Sequence, residues 1–229
     1  MEDVVMPVMS LLRRAYARLF PPLDTFQRCL RNWILPDCQR VLDVGCGDQG
    51  VLPRRVPGIP FCLGIDAKVP NAESARLHSD YIEMDIRDIE NHFEPGSFDC
   101  VVALDVIEHL ERPDGLALLR AMERIASKRV VIFTPNGFLP QPAAPDNPFQ
   151  MHVSGWDVND MEERGYTVVG VNGFRPLRGP YAEIRWRPTR FWLRASQLSQ
   201  HVVETRPRFA FQLLCFKDVA NGGRGEASE

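Results

Sequence analysis

The chain has 229 residues, of which 45% are hydrophobic and 25% are charged, and its formal net charge is −3. These values are typical of a globular protein with a substantial core, and the length favours one domain with an elaboration. The charge argues against nucleic acid or an anionic membrane as a general partner, and no segment approaches the ~20 apolar residues of a transmembrane span.

The six cysteines indicate a reducing compartment. None of them forms a CxxC pair, and Cys62, Cys100 and Cys215 lie in apolar, strand-like runs where a free thiol packs as a small hydrophobe. Arginines interrupt the first 20 residues, which contain no small-residue cleavage site and so do not resemble a signal peptide. We therefore expect a cytoplasmic protein.

Two amphipathic helices are predicted at the N-terminus. Apolar residues keep helical spacing over residues 8–20, and a second helix is predicted from Asp24, as its N-cap, to Ile34. The first helix is basic and could lie on a membrane surface. We favour the simpler interpretation that residues 1–36 form a helical cap on the domain that follows.

The stretch Val41-Leu-Asp-Val-Gly-Cys-Gly-Asp-Gln-Gly50 is an apolar strand that runs into a glycine-rich turn. Such a turn lets backbone approach a ligand that a side chain would exclude. Asp43, at the end of the strand, adds an acceptor for a cationic group. Glycine-rich turns also serve as plain connections, so the rest of the chain decides between the two interpretations.

Apolar strands alternate with helical segments after this turn, which is typical of a doubly wound α/β fold. Several of the runs are apolar on both faces, as in a parallel sheet covered by helices. One helix, at 114–126, is predicted between the last two of them. The predicted strands are 40–44, 61–65, 80–84, 98–104 and 129–134.

Acidic residues follow four successive strands, at the edge where ligands of this fold bind. Asp66 lies 23 positions after Asp43, a spacing that suits a contact with both hydroxyls of a ribose. Asp85 stands beside an apolar residue, as an adenine site requires, and Asp105 ends the fourth strand. One such acid is commonly a turn residue or a helix cap, whereas four in order indicate a binding site.

Residues 41–135 resemble the class I S-adenosylmethionine-dependent methyltransferases, in particular the group that acts on small molecules and lipid intermediates. The resemblance rests on the glycine turn, the acids just described, the stretch Asp105-Val-Ile-Glu-His-Leu110 and the strand ending Phe133-Thr-Pro-Asn136. It implies a Rossmann-like, mostly parallel seven-stranded sheet with an antiparallel edge strand. The last two strands are then 166–173 and 209–216.

The resemblance also implies S-adenosylmethionine as the cofactor. The positive charge of its sulfonium suits a rim of carboxylates. The negatively charged pyrophosphate of a dinucleotide would not suit such a rim. Many members have glycine where this chain has Gln49. The implied contacts are Asp43, Gly45, Cys46 and Gly47 for the methionine end, Asp66 and Ala67 for the ribose, Asp85 and Ile86 for the adenine, and Leu104 and Asp105 for the sulfonium.

Candidate catalytic residues lie in two places. A proline-rich loop after the fifth strand leads to His152, which could act as a base or simply fix the loop by hydrogen bonds. Glu108 and His109 follow the fourth strand. Together with Asp105 and His152 they resemble the metal-binding group of the small-RNA 3′-terminal 2′-O-methyltransferases. The same Glu-His-Leu sequence begins a helix in methyltransferases without metal, so metal binding stays open.

Residues 174–208 are longer than a hairpin connection needs and are rich in arginine and aromatic residues. A helix is predicted from 188 to 204, with proline in its first turn. The segment could bind phosphate or carboxylate groups, stack on bases, form a subunit contact, or be a solvated helix that packs its tryptophans on the sheet. We assign residues 37–217 to one domain with this insertion, and 218–229 to a disordered tail.

These patterns predict methyl transfer to a small-molecule or lipid- or sugar-linked acceptor, at an oxygen atom. The alternatives are a metal-assisted RNA 3′-end 2′-O-methyltransferase and a protein that binds the cofactor without catalysis. The acceptor and the oligomeric state do not follow from the sequence.

Overall fold

A computed structural model describes residues 24–68, 77–143 and 150–219. The helix predicted at 8–20 and residues 220–229 of the predicted tail lie outside these ranges. The strands within them are β1 (Arg40–Val44), β2 (Phe61–Asp66), β3 (Asp80–Glu83), β4 (Phe98–Leu104), β5 (Ala126–Pro135), β6 (Thr167–Phe174) and β7 (Ala210–Asp218). The α-helices are α1 (Thr25–Ile34), α2 (Val51–Arg55), α3 (Ile89–His92), α4 (Arg112–Ile125), α5 (Val158–Glu162) and α6 (Thr189–Val203).

The strands form one sheet in the order β3-β2-β1-β4-β5-β7-β6. Strands β1 to β5 pair in parallel, while β7 is antiparallel to both of its neighbours, β5 and β6. The predicted seven-stranded sheet with an antiparallel pair at its edge is therefore confirmed. Strand β7 is the antiparallel member, and β6 forms the edge itself.

Both faces of the sheet are buried under helices. Successive side chains of a strand point to opposite faces, and those of β1 pack on both sides. On β1, Val41 packs with Leu30 and Ile34 of α1, and Leu42 packs with the residues of α4 on the other side. A sheet covered on both faces offers ligands only the edge where its parallel strands end. The four predicted carboxylates lie at that edge.

Helix α1 begins at the predicted N-cap, because the side chain of Asp24 accepts the backbone N–H of Gln27 at 3.0 Å. Its first turn is joined to the far end of the insertion. The hydroxyl of Thr25 donates to Glu204 at 2.9 Å, and Arg28 forms an ion pair with the same carboxylate. Helix α1 and the C-terminal end of the insertion are therefore in direct contact.

The insertion packs on β6 through small residues and amides. A Cβ at Gly173 would lie 2.3 Å from the carbonyl oxygen of Ser196, so only glycine allows this close approach. The side chain of Gln200 donates to the carbonyl of Gly170 at 2.9 Å and accepts the N–H of Gly173 at 3.1 Å. Trp186 is 53% exposed, so the expectation that the tryptophans pack on the sheet is wrong for this residue.

Helix α6 matches the predicted helix within a residue at each end, with Pro188 at its N-cap position. Within the described ranges, no helix combines the length and apolar character that crossing a membrane requires.

Candidate active site

The glycine turn after β1 is held against the end of β2. The backbone N–H groups of Gly45 and Cys46 donate to the carbonyl of Ile65 at 2.8 and 3.1 Å. Gly45 and Gly47 have positive φ angles, +65° and +59°, which L-residues rarely adopt. A Cβ at Gly47 would have no described atom within 4 Å, so this side of the turn is open to a ligand.

Gln49 does not disturb the turn. Its backbone lies outside the left-handed region, and Gly50, with φ +55°, supplies the left-handed residue before α2 instead. The side chain of Gln49 is exposed and donates to Asp48 at 3.0 Å. Gln49 therefore needs no left-handed backbone in this turn.

Asp43 is buried and paired with a histidine that the sequence did not single out. The Nε2 atom of His78 lies 2.8 Å from Oδ2 of Asp43, and the side chains are 0% and 2% exposed. Burial raises the pKa of the Asp43 carboxyl, and the hydrogen bond to His78 opposes this shift. At least one of the two oxygens of Asp43 is thus engaged within the protein, rather than free for a ligand.

Asp66 connects the end of β2 to the glycine turn. Its two carboxylate oxygens accept the backbone N–H groups of Gly47, at 2.9 Å, and Lys68, at 3.1 Å. Each oxygen keeps a second lone pair, so the half-buried carboxylate can also accept from a ligand hydroxyl. Tyr81 donates to the carbonyl of Gly47 at 3.1 Å, and Ala67 is exposed next to Asp66.

Asp85 caps the short 3₁₀ turn Ile86–Asp88 and forms an ion pair with Arg87. The Nε of Arg87 lies 3.0 Å from both carboxylate oxygens, and this hydrogen bond lowers the pKa of Asp85. An adenine amino group at this strand end would share the carboxylate with Arg87. Ile86 is half-buried beside it.

Asp105 directly follows β4 and has a left-handed conformation, with φ +54°, which is rare for a residue with a side chain and is often found at functional sites. Its N–H donates to the carbonyl of Phe133 at 2.9 Å, and its Oδ1 accepts from Gln212 at 3.1 Å. Surrounding protein atoms raise the pKa of Asp105 by reducing its hydration. Leu104 is half-buried next to it.

Glu108, His109 and His152 come together and are called the Glu-His-His cluster below. One potential ligand atom from each lies within 4.8 Å of those of the other two. The Oε2 of Glu108 accepts from Thr134 at 3.0 Å, while Oε1 is buried without a hydrogen-bond partner among the described residues. Burial raises the pKa of Glu108 well above its usual value. Asp105 is not a member of this group.

The loop that carries His152 is anchored to the short turn that carries Glu108. The N–H groups of Val153 and Ser154 donate to the carbonyl of Glu108 at 2.9 and 3.1 Å. Trp156 is fully buried beyond them and donates to Ile107 at 3.2 Å. These contacts explain how a residue 43 positions from His109 reaches it, with the two ring centres 4.9 Å apart.

Both histidines present Nε2 as an unprotonated nitrogen. The Nδ1 atoms of His109 and His152 lie 3.0 and 2.8 Å from the carbonyls of Met151 and Leu139, which can only accept a hydrogen bond. Nδ1 therefore carries the proton of the neutral ring. Burial lowers the pKa of both histidines. The cluster can accept a proton or bind a divalent cation, and an outward Nδ1–H···O=C contact is typical of metal-binding histidine.

A cavity of about 810 Å³ lies against this cluster. Asp105, His109 and His152 line it, and so do Asn172, Arg178 and Gln200. The volume lies within the range of small-molecule sites. The last three residues belong to β6 and the insertion, and the sequence did not assign them to the site.

Comparisons with known proteins match the part of the chain that forms the parallel strands. A family model described as "Methyltransferase domain" matches residues 42–134. A ubiquinone biosynthesis O-methyltransferase of Neisseria meningitidis serogroup A is 36% identical over 104 residues, which are 42% of this chain and 42% of that relative. One of Xanthomonas campestris pv. campestris is 38% identical over 90 residues, 36% of each chain. The match thus spans less than half of these relatives.

Two solved structures share the fold over most of the chain. A Burkholderia thailandensis 1,6-didemethyltoxoflavin-N1-methyltransferase, with S-adenosylhomocysteine bound, has a TM-score of 0.54 and 13% identity, covering 96% of this chain and 90% of that one. A SAM-dependent methyltransferase from Archaeoglobus fulgidus has a TM-score of 0.52 and 16% identity, covering 90% and 99%. The resemblance to methyltransferases is confirmed over residues 42–134, which include the four carboxylates.

Proposed function

We propose that the protein is a class I S-adenosylmethionine-dependent methyltransferase that transfers the cofactor's methyl group to an oxygen atom of a small-molecule acceptor. Residues 42–134 match a family model for a methyltransferase domain. One observation carries the proposal. Asp105, the last of the strand-end carboxylates, lines a cavity of about 810 Å³ together with His109 and His152, whose Nδ1 atoms lie within hydrogen-bonding distance of backbone carbonyls.

The glycine turn and three strand ends would hold the cofactor. The backbone at Gly45 and Gly47 leaves room for its methionine end, and the free lone pairs of Asp66 suit its ribose hydroxyls. Asp85 with Ile86 would contact the adenine, and Leu104 with Asp105 the sulfonium. When bound, the cofactor supplies a methyl group that its positive sulfur already activates, so the protein's tasks are alignment and exclusion of water.

The Glu-His-His cluster would remove the acceptor's proton. Nε2 of His152 or His109 is unprotonated near neutral pH, because burial lowers both pKa values. Either nitrogen can therefore accept the proton of a hydroxyl in the cavity as its oxygen attacks the methyl carbon. Glu108, held by Thr134 at 3.0 Å, borders the two imidazoles.

Calorimetry with S-adenosylhomocysteine tests the cofactor site. We expect the wild type to bind and Asp66→Ala to bind at least about tenfold more weakly, because hydrogen bonds from two hydroxyls to a carboxylate are lost. Glu94→Ala, which removes an exposed carboxylate far from the turn, is the matched control and should bind as the wild type does. Absent binding, or undiminished binding by Asp66→Ala, would refute the proposal.

The cluster geometry favours a second candidate, a metal-assisted methyltransferase that acts on the 2′-hydroxyl at an RNA 3′ end. Two Nε2 atoms and a buried carboxylate oxygen without a partner are suitable ligands for a divalent cation. A titration with Mn²⁺ should then show binding that is lost in His109→Ala and kept in His201→Ala, an exposed histidine on α6. Activity on RNA that survives chelation would remove the metal from this candidate.

A third candidate binds the cofactor without catalysis. It gains support only if S-adenosylhomocysteine binds while a broad acceptor screen shows no transfer by the wild type. His152→Ala and Glu108→Gln are the controls in that screen. A trace of transfer that is equal in the wild type and in both variants would be assigned to a contaminant.

We also propose a cytoplasmic location and leave the acceptor class open to lipid- or sugar-linked molecules. All six cysteines are free and buried, which suits a reducing compartment. The cavity is large enough for the head of such an acceptor. Transfer to a prenylated phenol but not to its unprenylated form would support a lipid-linked acceptor.

A further inference from the structure

Arg178 lines the cavity with a guanidinium group that has no acidic partner. Its Nε donates to Ser196 at 3.1 Å and its Nη1 donates to the carbonyl of Ala182 at 2.8 Å, both neutral acceptors. Nη2 makes no hydrogen bond to another described residue, and no carboxylate in the described ranges pairs with this arginine. The side chain is half-buried.

The other charged groups along the cavity already have partners. Arg55 pairs with Asp24 at 3.0 Å, so these two opposite charges compensate each other. Asp105 accepts a hydrogen bond from Gln212 at 3.1 Å and forms no ion pair with Arg178. Arg178 is thus the cation whose charge no carboxylate compensates among the described residues that line the cavity. Burial also lowers its pKa, which shows the cost of leaving it without an anion.

The segment that holds Arg178 has a strained backbone. Tyr181 and Ala182 both have positive φ angles, 54° and 58°, although neither is glycine. This conformation costs of order 1 kcal/mol or more per residue and is common at binding sites. It brings the carbonyl of Ala182 to the guanidinium, while Gly179 is tied to Glu183 by a 2.9 Å backbone bond. The arginine is therefore fixed in place before any ligand arrives.

We propose that Arg178 is a specificity residue that binds an oxyanion, a carboxylate or a phosphate, carried by the methyl acceptor. A guanidinium held on two of its nitrogens keeps the rest of its planar donor set for such a group. The same cavity contains His109 and His152, so an acceptor anchored at Arg178 could present its hydroxyl to them. This proposal rests on the proposed function, because it names a property of that enzyme's acceptor.

Direct binding of small probes tests the subsite without requiring catalysis. Benzoate, phenylphosphonate and uncharged benzyl alcohol are titrated into the full chain, with and without saturating S-adenosylhomocysteine. We expect at least one anion to bind about tenfold more tightly than benzyl alcohol, as a charge-assisted hydrogen bond predicts. The tighter of the two anions identifies the acceptor group as a carboxylate or a phosphate.

Matched variants separate Arg178 from the general charge of the insertion. Arg178→Gln should bind the anions no better than the alcohol, whereas Arg190→Gln, an exposed arginine on α6 outside the cavity, should keep the preference. Circular dichroism checks that each variant folds. If Arg178→Gln does not fold, Arg178→Lys replaces it. We expect Arg178→Lys to bind the anions about threefold or more weakly than the wild type, because a lysine cannot reproduce the planar fork.

Three results would overturn the inference: no tighter binding of either anion by the wild type, a preference that survives in Arg178→Gln, or one that Arg190→Gln loses equally. Failure of S-adenosylhomocysteine to bind would instead refute the proposed function. The two failures are distinguishable, because the probes are also titrated without S-adenosylhomocysteine.

Discussion

The imidazole of His78 lies against the carboxylate of Asp43, with 2.8 Å between Nε2 and Oδ2, and both side chains are enclosed by protein. Asp43 is the last polar residue before the glycine turn, so His78 supports the turn from the segment just before β3. The ring of His78 also packs edge-on against Tyr81, whose hydroxyl reaches the carbonyl of Gly47. The cofactor turn is thus braced by two residues distant in sequence.

Replacing His78 with alanine should destabilise the protein by roughly 3 kcal/mol, because a buried carboxylate loses its hydrogen-bond partner. Urea unfolding at pH 7 measures the change. His201→Ala, on the exposed side of α6, is the control and should stay within ~0.5 kcal/mol of the wild type. Equal stability of the two variants would mean that the Asp43–His78 pair contributes nothing measurable.

Two glycines of the turn should respond differently to alanine. At either position, an alanine in the left-handed conformation lowers the free energy of unfolding by about 1 kcal/mol. A Cβ at Gly45 would also come within 2.7 Å of Val106, so Gly45→Ala should lose a further 1 kcal/mol or more. At Gly47 the Cβ meets open space, and the loss should appear in S-adenosylhomocysteine affinity instead, by about tenfold or more.

Unfolding curves and calorimetry on the same two variants make this comparison. A Gly47→Ala variant that binds as the wild type does would place the ligand away from this side of the turn. A Gly45→Ala variant as stable as Gly47→Ala would show that Val106 moves aside without cost.

Asp99 should stabilise the protein above acidic pH. Burial acts to raise its pKa, but hydrogen bonds from the N–H groups of Gln39 and Arg40, at 2.8 and 3.0 Å, and from Lys128 outweigh it, so the pKa is lowered. A carboxyl with a lowered folded-state pKa contributes stability above its unfolded pKa of ~3.9, and this contribution is lost as pH falls through the folded value.

The corresponding variant is Asp99→Asn. We expect it to lose about 1–2 kcal/mol of unfolding free energy at pH 7 and clearly less near pH 3, because the wild-type carboxyl is then protonated. Denaturant titrations at both pH values measure the difference. Glu94→Gln should change little at either pH, and a pH-independent loss in Asp99→Asn would contradict the linkage.

The methyl-transfer rate should persist at mildly acidic pH. Burial lowers the pKa of both His109 and His152 below the usual value near 6.5, so the imidazoles stay neutral at pH 6.5 and become protonated only at lower pH. The acid limb of the kcat/KM profile should therefore have its midpoint below pH 6.5. A midpoint at or above 6.5, or one unchanged in both His109→Ala and His152→Ala, would exclude these residues as the base.

The strands and the order of the carboxylates were predictable, because both depend on local patterns. Apolar runs such as Val101–Ala103 can only be buried on two faces, and their alternation with helices implies parallel strands. Parallel strands end at one edge, so acids that follow them, such as Asp66 and Asp105, must lie near one another. Glu108 and His152 were predicted to come together only as members of a possible metal-binding set.

Other site residues carry no local signal. His78 is an ordinary histidine until β3 places it beside Asp43, and Gln212 becomes a partner of Asp105 only because β7 inserts beside β5. Arg178 is one of eight arginines in the insertion, and its sequence neighbours do not distinguish it. One interpretation of the sequence had the insertion pack its tryptophans on the sheet, but Trp186 is largely exposed, and small residues and Gln200 make the contact with β6.

The sequence by itself determined the class of fold, the glycine turn and the edge at which a cofactor binds, since hydrophobic periodicity and backbone freedom act over a few residues. The tertiary structure alone decided which polar atoms are engaged and which remain available. It paired Asp43 with His78 and placed His109, His152 and Arg178 along one cavity. Burial and hydrogen-bond partners depend on segments far apart in the chain, and these two properties decide whether a side chain can act on a ligand.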